Sequence, residues 1–377
     1  MSELVDLLRR LVEIDSVNPD LVPGGAGEGE IGSFVAGWLR RSGLEVEVDE
    51  PAPGRPNVVA IARGSGGGRS LLLNAHTDTV GVAGMDRPHE SVVVDGRLYG
   101  RGAYDMKGGL AAAMLTVAAA RDLGLRGDVI LAAVADEEYA SIGTRALVER
   151  QSADAAIITE STGLELCVAH KGFIWLEVET VGKAAHVSRP DLGVDAITKT
   201  GRILVELEQL DRSLQSASSH RLLHSGSLHA SLIQGGQERS SYPERCRLSA
   251  ERRTVPGETL QDIEDEIRDL LGRVMKIDPE IKAAVEWTLV REPFEVAEDD
   301  PIVAAVHSQA RLLLGREPNL VGEPGWMDAA ILSAAGVPTV VFGPSGEGAH
   351  AEVEWVDLEH VKLCHDVLLA TAKEFCN

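Results

Sequence analysis

Apolar positions along the chain fall into two periodic patterns, which predict the order of helices and strands. A helix is predicted at the start, where Leu4, Leu7, Leu8, Leu11 and Val12 recur at helical spacing. Further on, short and nearly continuous apolar runs alternate with helical patterns. The predicted strands are 57–62, 71–74, 129–134 and 155–158, and the predicted helices are 108–123 and 141–150. This alternation is typical of a mostly parallel sheet flanked by helices.

The pattern changes near residue 173. Ile174, Leu176, Val178 and Thr180 alternate with other residues, as in a sheet that has one exposed face. The next predicted elements are helix 195–210, strands 230–234 and 245–252, helix 260–274 and strand 283–289. This β-α-β-β-α-β order is typical of a ferredoxin-like module. After residue 292 the first pattern returns, with helix 301–314, strand 339–342 and helix 358–375.

These patterns predict an α/β domain interrupted by a smaller inserted domain. Residues 1–173 and 292–377 would form the α/β domain, and residues 174–291 the inserted ferredoxin-like α+β domain. A length of 377 residues suits one large domain or two of medium size. The glycine-rich segment 64–68 joins two predicted strands with no helix after it, so we expect a loop or hairpin there rather than a phosphate-binding turn.

Composition and charge exclude several classes of protein. The chain has 36 Lys and Arg against 59 Asp and Glu, and a net charge of −23 repels nucleic acids and anionic lipids. The apolar runs are too short to span a bilayer, and no signal segment is recognisable. The cysteines Cys167, Cys246, Cys364 and Cys376 are scattered singly, which argues against a disulfide framework and a thiolate zinc site. We therefore expect a cytoplasmic protein without nucleic-acid or membrane partners.

Candidate catalytic residues occur where predicted strands end. His76 and Asp78 follow one apolar strand, and a carboxylate in this position is suited to orienting a metal-bound imidazole. Asp105 lies in the glycine-dense segment 99–109 before a long predicted helix. A role for Asp105 as the N-cap of that helix is an equally good interpretation of this segment.

Three further strand ends carry similar residues. Asp136-Glu137-Glu138 follows the strand 129–134, Glu160 follows 155–158, and His350 ends a glycine-rich loop after 339–342. Each motif alone is a weak signal, because acidic loops are common in an acidic protein. Together they place two histidines and several carboxylates at one edge of a sheet, which is the arrangement that a cluster of divalent metals requires.

On these motifs, the sequence resembles the di-zinc amidohydrolases and exopeptidases that include acetylornithine deacetylase, succinyl-diaminopimelate desuccinylase, aminoacylase and glutamate carboxypeptidase. The resemblance covers almost the whole chain and keeps the order and spacing of the motifs. It implies an α/β fold of the zinc-exopeptidase type, with the inserted domain serving as a lid and dimerisation domain. It also implies two Zn²⁺ per subunit, with Co²⁺ or Mn²⁺ able to substitute.

The same resemblance implies a role for each strand-end residue. His76 and Glu160 would bind one zinc, Glu138 and His350 the other, and Asp105 would bridge both. Asp78 would orient His76. Glu137 would be the general base that takes the proton of the water, and the hydroxide bridging the two metals would be the nucleophile.

The inserted domain carries the residues that the resemblance links to substrate. His186, in Gly182-Lys-Ala-Ala-His186, matches a lid histidine that polarises the scissile carbonyl and reaches the partner's active site, so a homodimer is implied. Arg253 matches an arginine that would hold a substrate carboxylate. Two positions depart from the family. Ser240 stands where an asparagine commonly contacts substrate, and Asp328 is followed by Ala rather than by the Arg of several members.

The implied reaction is hydrolysis of the amide bond of an N-acyl amino acid. A dipeptidase, or an exopeptidase like glutamate carboxypeptidase, would use the same metals and base and stays an alternative. A relative that retains metal and binds a ligand without hydrolysis is disfavoured because Glu137 is present. A serine hydrolase is disfavoured because Gly343-Pro-Ser345-Gly-Glu lacks the last glycine of G-x-S-x-G. A nicotinamide enzyme is disfavoured because no G-x-G-x-x-G lies between a strand and a helix.

Overall fold

The computed structural model describes residues 2–377, which form two compact units. The first unit contains residues 2–168, 296–321 and 327–377, and the second contains residues 169–295 and 322–326. The predicted domain limits, and the role of residues 174–291 as a lid and dimerisation domain, stay predictions. None of the helices within residues 2–377 has the length and apolar content that crossing a bilayer requires.

The helices and strands have the following bounds. The helices are α1 (Ser2–Glu13), α2 (Gly29–Arg41), α3 (Gly108–Ala120), α4 (Ile142–Arg150), α5 (Ala196–Ser216), α6 (Leu260–Ile277), α7 (Pro301–Leu314), α8 (Ala329–Ala334) and α9 (Leu358–Phe375). The strands are β1 (Glu45–Ala52), β2 (Arg55–Ala62), β3 (Leu71–His76), β4 (Val92–Val94), β5 (Arg97–Tyr99), β6 (Val129–Val134), β7 (Ala155–Ile158), β8 (Leu166–His170), β9 (Gly172–Val181), β10 (Ser227–Gly235), β11 (Arg245–Thr254), β12 (Lys282–Arg291), β13 (Phe294–Glu295), β14 (Leu320–Glu323), β15 (Thr339–Val341), β16 (Gly346–Glu347) and β17 (Trp355–Asp357).

The main sheet of the first unit confirms the predicted α/β class. Its strands run in the order β1-β2-β6-β3-β7-β15-β8, and the four central strands from β6 to β15 are parallel. Every residue of β3, β6 and β7 is buried, as expected for strands that are covered on both faces. The segment 64–68 is the loop between β2 and β3. It therefore has the loop role expected from the sequence.

The parallel strands bring several functional loops to one edge of the sheet. His76, the last residue of β3, is paired with Val134, the last residue of β6. Ile158 at the end of β7 is paired with Val341 at the end of β15. The segments 135–138 and 159–160 and the loop after β15 therefore leave the sheet side by side. Open α/β sheets bind their ligands at this edge.

A small second sheet in the first unit holds two more loops together. Its strand order is β16-β17-β5-β4, and all of its pairs are antiparallel. Trp355 of β17 is paired with Tyr99 of β5. The segment 348–354, which ends at β17, and the segment 100–107, which begins after β5, therefore start from neighbouring strands.

The second unit has the predicted β-α-β-β-α-β order in β9, α5, β10, β11, α6 and β12. Its antiparallel sheet runs β10-β11-β9-β12. The apolar side chains of the two helices pack on one face of the sheet and form a core of their own, which includes Ile203, Ile267, Leu176 and Leu248. The other face of β9 is less buried, as its alternating pattern predicted.

A close approach between helix and sheet in the first unit depends on Gly109. An ideal Cβ at this position would lie 1.8 Å from the backbone oxygen of Thr159, just after β7. The backbone of α3 therefore lies directly against the strand end that precedes Glu160. Any side chain larger than hydrogen forces the two apart.

We predict that Gly109→Ala lowers the free energy of unfolding by about 1–3 kcal/mol through overpacking. Gly37→Ala is the matched control, because Gly37 is also helical and its Cβ would meet only the flexible end of Arg41, at 3.3 Å. Gly37→Ala should leave the free energy of unfolding unchanged or raise it by up to about 1 kcal/mol, because alanine favours the helix. Denaturant unfolding measures both. An equal effect of the two substitutions would contradict the close approach.

Candidate active site

His76 is held at the centre of a cluster of carboxylates. Its Nδ1 lies 3.0 Å from the backbone oxygen of Asp78 and 3.5 Å from that residue's Oδ1. These acceptors favour the tautomer with the proton on Nδ1, which leaves the lone pair on Nε2. Nε2 lies 3.1 Å from Asp105 Oδ1 and 3.2 Å from Glu160 Oε1. We call the group His76, Glu160 and Asp105 Oδ1 the first half-site.

Asp105 connects this group to a second one. Its other oxygen, Oδ2, lies 3.2 Å from Nε2 of His350. The same His350 nitrogen lies 3.2 Å from Glu138 Oε2. We call the group His350, Glu138 and Asp105 Oδ2 the second half-site. Asp105 does not cap α3 through its side chain, since the residue before that helix is Lys107 and no side chain caps it.

Asp78 fixes the segment that carries the two glutamates. Its oxygens accept hydrogen bonds from the backbone N–H groups of Glu137 and Glu138, at 3.1 and 3.2 Å. Asn18 Nδ2 donates a third hydrogen bond to Asp78, at 2.8 Å. Asp78 therefore orients both the imidazole of His76 and the turn after β6.

Glu137 and Glu138 are neighbours in sequence with different surroundings. Glu138 contacts His350, whereas the carboxylate of Glu137 lies within 4.8 Å of donor atoms of His76 and Glu160. Burial raises the pKa of Glu137 well above its ordinary value, and the charges of Asp328 and Glu160 raise it further against the opposing effect of His76. A glutamate with a raised pKa beside a metal cluster is suited to accepting and returning a proton.

Crowded carboxylates dominate the electrostatics of the site. Burial raises the pKa of Glu138 to about 7, and the charge of Asp105 adds to the effect. Burial raises the pKa of Glu160 as well. The contacts with Asp105 and Glu138 raise the pKa of His350 to about 10. At His76, burial lowers the pKa, but the carboxylates around it prevail and raise it well above the ordinary value. The cluster thus attracts positive charge strongly.

The donor set fits a pair of divalent metal ions. Each half-site offers one imidazole nitrogen and carboxylate oxygens, which are typical zinc ligands, and Asp105 offers one oxygen to each. Glu138 Oε1 is buried and has no hydrogen-bond partner among residues 2–377, so it has a free lone pair inside the cluster. His76, Asp105 and Glu138 have donor atoms within 4.8 Å of one another. The residues present therefore match the requirements of a pair of divalent metal ions.

Asp328 lies in the first unit, where it is buried with only 2% of its surface exposed. Its Oδ2 accepts a hydrogen bond from Thr144, and burial raises the pKa of its carboxyl to about 6. Its negative charge raises the pKa of Glu137. In this structure Asp328 therefore acts on the predicted base through its charge, and a direct contact of Asp328 with substrate stays a prediction.

The other predicted substrate residues belong to the second unit. His186 is exposed, and its Nδ1 lies 2.8 Å from Ser188 Oγ. Ser240 is close to it, because the backbone oxygen of Ser240 accepts the N–H of Val187. Arg253 donates to Glu251 and lies over the ring of Phe173, 5.0 Å from its centroid. The fold thus brings His186 and Ser240 together, and it places Arg253 on β11.

Several buried residues that support the site were missed at the sequence level. Asn18 donates to both Asp78 and Asp136, and Arg55 binds Asp136 at 2.9 Å. Arg101 and Glu354 support the segment around Asp105. The sequence has no signal for them: Glu354 follows Glu352 within Ala351-Glu352-Val353-Glu354, and only burial distinguishes the two glutamates.

Comparison with known proteins identifies the family. The model of peptidase family M20/M25/M40 matches residues 72–374, and the chain belongs to this family. An acetylornithine deacetylase from Myxococcus xanthus is 30% identical over 361 residues, covering 91% of this chain and 91% of that protein. An N-formyl-4-amino-5-aminomethyl-2-methylpyrimidine deformylase from Halalkalibacterium halodurans is 27% identical over 409 residues, covering 100% of this chain and 95% of that protein.

A solved structure shows the same fold. A dinuclear metal-binding peptidase of family M20 from Bacillus subtilis superimposes with a TM-score of 0.78 at 18% identity, covering 100% of this chain and 98% of that one. Family membership and the donor set together define a hydrolase that depends on divalent metal and acts on amide or peptide bonds. The prediction of the enzyme class from the sequence is confirmed.

We predict that each chain binds two divalent ions and that binding weakens in acid. Ions and protons compete for the same atoms, so affinity falls as pH falls. Above pH 7, His350, with its pKa of about 10, and His76, whose pKa is also raised well above its ordinary value, must each lose a proton. Below pH 7, Glu138, with its pKa of about 7, must lose one more. The slope of log affinity against pH should therefore steepen by about one proton on acidification through neutral pH.

Competition with a chromophoric chelator on both sides of neutral pH measures this slope, and elemental analysis counts the ions. Fewer than two ions per chain would contradict the shared role of Asp105. A binding affinity that is independent of pH would contradict the protonation states assigned to Glu138 and His350.

Proposed function

We propose that the chain is a two-zinc deacylase that hydrolyses the amide bond of an N-acyl amino acid. The observation that supports this most directly is Asp105, whose two oxygens contact the imidazoles of two half-sites while Glu137 lies beside them. His76 and Glu160 would hold one ion, and Glu138 and His350 the other, with Asp105 shared. Nitrogen and carboxylate ligands suit zinc, and Co²⁺ or Mn²⁺ would substitute.

When bound, the two ions would act as Lewis acids and lower the pKa of water towards neutrality. The protein supplies the proton transfers. Glu137 accepts a proton from the attacking water on its carboxylate and returns it to the amide nitrogen, so that the product leaves as an amine. Its raised pKa brings it closer to the pH at which a general base and a general acid are both effective. Asp78 keeps His76 and the Glu137–Glu138 turn in position for this step.

The second unit would supply contacts to substrate. Arg253 uses part of its guanidinium on Glu251, and its remaining N–H groups would hold the carboxylate of the amino acid. His186 is exposed and would polarise the scissile carbonyl. Ser240 lies next to the His186 segment and would take the place of the asparagine found in relatives. We propose that this unit is the lid and also forms a homodimer.

Deacylation is favoured over dipeptide cleavage by the relatives that match along most of the chain. One acts as an acetylornithine deacetylase and another as a deformylase, so both names describe removal of a small acyl group from an amine. An exopeptidase acting on dipeptides would use the same metals and base, and the family contains peptidases. The two activities differ in the group that the site must accept on the carbonyl side of the scissile bond.

A substrate panel tests the proposal. Zinc-loaded or cobalt-loaded enzyme is offered N-acetyl, N-formyl and N-succinyl amino acids and dipeptides, and the release of free amine is measured. We predict that the best acyl amino acid exceeds the best dipeptide in kcat/KM. The opposite order would replace the deacylase with a dipeptidase, and no turnover of any compound would indicate a binding protein.

Glu137→Gln is the internal control in this panel. It should keep both ions and the fold but lower kcat by at least about 10²-fold, because only the proton transfer is lost. The matched variant is Glu138→Gln, which should weaken one ion instead. If Glu137→Gln kept the wild-type kcat, another residue would have to be the base.

A mixing experiment tests the role of His186 and of the dimer. His186→Ala should lower kcat with both ions retained. Mixed dimers of His186→Ala and Glu137→Gln subunits would contain one site with both residues intact, so random exchange should restore up to about a quarter of wild-type activity. If proven subunit exchange restores nothing above the mean of the two variants, His186 does not act across a dimer.

A further inference from the structure

Glu354 is a buried carboxylate outside the proposed ligand set, and it accepts an unusual number of hydrogen bonds. Its Oε1 accepts the backbone N–H groups of Tyr104 and Asp105, at 2.9 and 3.1 Å. Its Oε2 accepts the N–H of Gly102 at 2.9 Å and the guanidinium of Arg101 at 2.6 Å. One side chain therefore accepts three backbone N–H groups of the segment that carries Asp105.

Arg101 extends this contact to two other loops. Its Nε donates to the backbone oxygen of Gly81 at 3.1 Å, and its Nη2 donates to that of Ala351 at 2.9 Å. Both members of the Arg101–Glu354 pair are almost fully buried, with 2% and 1% of their surface exposed. A buried charge pair with satisfied hydrogen bonds fixes geometry, because loss of one partner leaves an uncompensated charge.

The pair also fixes the loop that carries His350. Residues 349–353 are all exposed, and Glu354 is the first buried side chain after them. His350 has a φ of 62°, in the left-handed region that non-glycine residues seldom adopt. An exposed loop in such a conformation needs an anchor. The hydrogen bonds from Arg101 to Ala351 and from Gly100 N–H to the backbone oxygen of Glu354 provide it.

The first half-site does not depend on this anchor to the same extent. His76 is the last residue of β3, and Glu160 follows β7 by two residues, so both are placed by the fully buried parallel sheet. The second half-site combines Glu138, held by Asp78, with His350 and Asp105, whose loops meet at the Arg101–Glu354 pair. Apart from Asp105, which both half-sites share, the two half-sites thus rest on different supports.

We propose that Arg101 and Glu354 are positioning residues for the second metal ion, holding His350 and Asp105 Oδ2 at the spacing that this ion needs. This rests on the two-ion site of the proposed function. Weakening the pair should release the second ion and leave the first largely in place, because the supports of His76 and Glu160 are unchanged. Supporting residues of this kind typically change metal affinity by about 10–100-fold.

The test measures two dissociation constants for Zn²⁺ by competition with a chromophoric chelator. The variants are Glu354→Gln, which removes the charge at constant size, and Arg101→Lys, which keeps the charge but loses the fork that reaches Gly81 and Ala351. Glu258→Gln is the control. Glu258 also pairs with a buried arginine, Arg252, at 2.6 Å and accepts a backbone N–H, but it lies in the second unit.

We expect Glu354→Gln and Arg101→Lys to weaken the second ion at least about 10-fold, with the first within about 3-fold of wild type and no change in Glu258→Gln. If Glu354→Gln fails to fold, the zinc affinities of Arg101→Lys alone test the positioning role. Wild-type binding of both ions in the folded variants, an equal loss of both ions, or a similar loss in the control would overturn the proposal. Unfolding of both variants would overturn it too, since the pair would then hold the whole unit.

The wild-type protein in the same titration separates the two claims. If it binds fewer than two ions, the two-ion site itself is wrong, and the positioning role fails with it. If it binds two ions and the variants do as well, only the positioning role is wrong.

Discussion

The contact of one carboxylate with two imidazoles is the constraint on which the site depends. Asp105 lies 3.1 Å from Nε2 of His76 and 3.2 Å from Nε2 of His350 through different oxygens. Glu138 and Glu160 are brought against the same centre, although buried like charges raise each other's pKa. Divalent cations remove that repulsion. The first unit thus holds a buried cluster of carboxylates whose charge must be balanced by protons or by bound cations.

Two different sheets cooperate to make this contact. The parallel sheet presents His76 at the end of β3 and leads into the segments that carry Glu138 and Glu160. The small antiparallel sheet presents Asp105 and His350 on loops next to β5 and β17. Buried polar residues then fix each part, since Asn18 holds Asp78 and Glu354 holds the backbone of Asp105. Rigid strands and satisfied hydrogen bonds give the precision that metal ligands need.

Adjacent residues in the turn after β6 have different surroundings, which suit the separate tasks proposed for them. Glu138 points to His350 and belongs to the second half-site. Glu137 lies near the first half-site and is affected by the buried charge of Asp328. A residue that ligates a metal loses its basicity, so the base must be a neighbour that stays free. The hydrogen bonds that both backbone N–H groups donate to Asp78 fix the turn that directs the two side chains to different places.

Hydrophobic periodicity alone determined most of the fold. The predicted bounds match the observed ones for strands 129–134 and 155–158 and for helices α7 and α9. A strong apolar pattern of this kind predicts the same element in most tertiary contexts. Helix α2 was missed although Ile31, Val35 and Leu39 recur at helical spacing and are buried, and strand β1 was missed because it has no buried residue. The histidines and acids of the cluster were also readable, because each follows a strand or a glycine-rich turn.

Only the tertiary structure decided what those residues contact. The sequence left Asp105 between a helix cap and a shared ligand, and the distances to His76 and His350 favour the second. It gave no means of separating Glu354 from Glu352, because burial arises when segments more than two hundred residues apart meet. Local patterns follow from the chemistry of neighbouring residues, whereas a buried charge is defined by distant ones. For that reason the residues of the cluster, and Asp78 beside it, could be identified from the sequence, whereas Asn18, Arg101 and Glu354 could not.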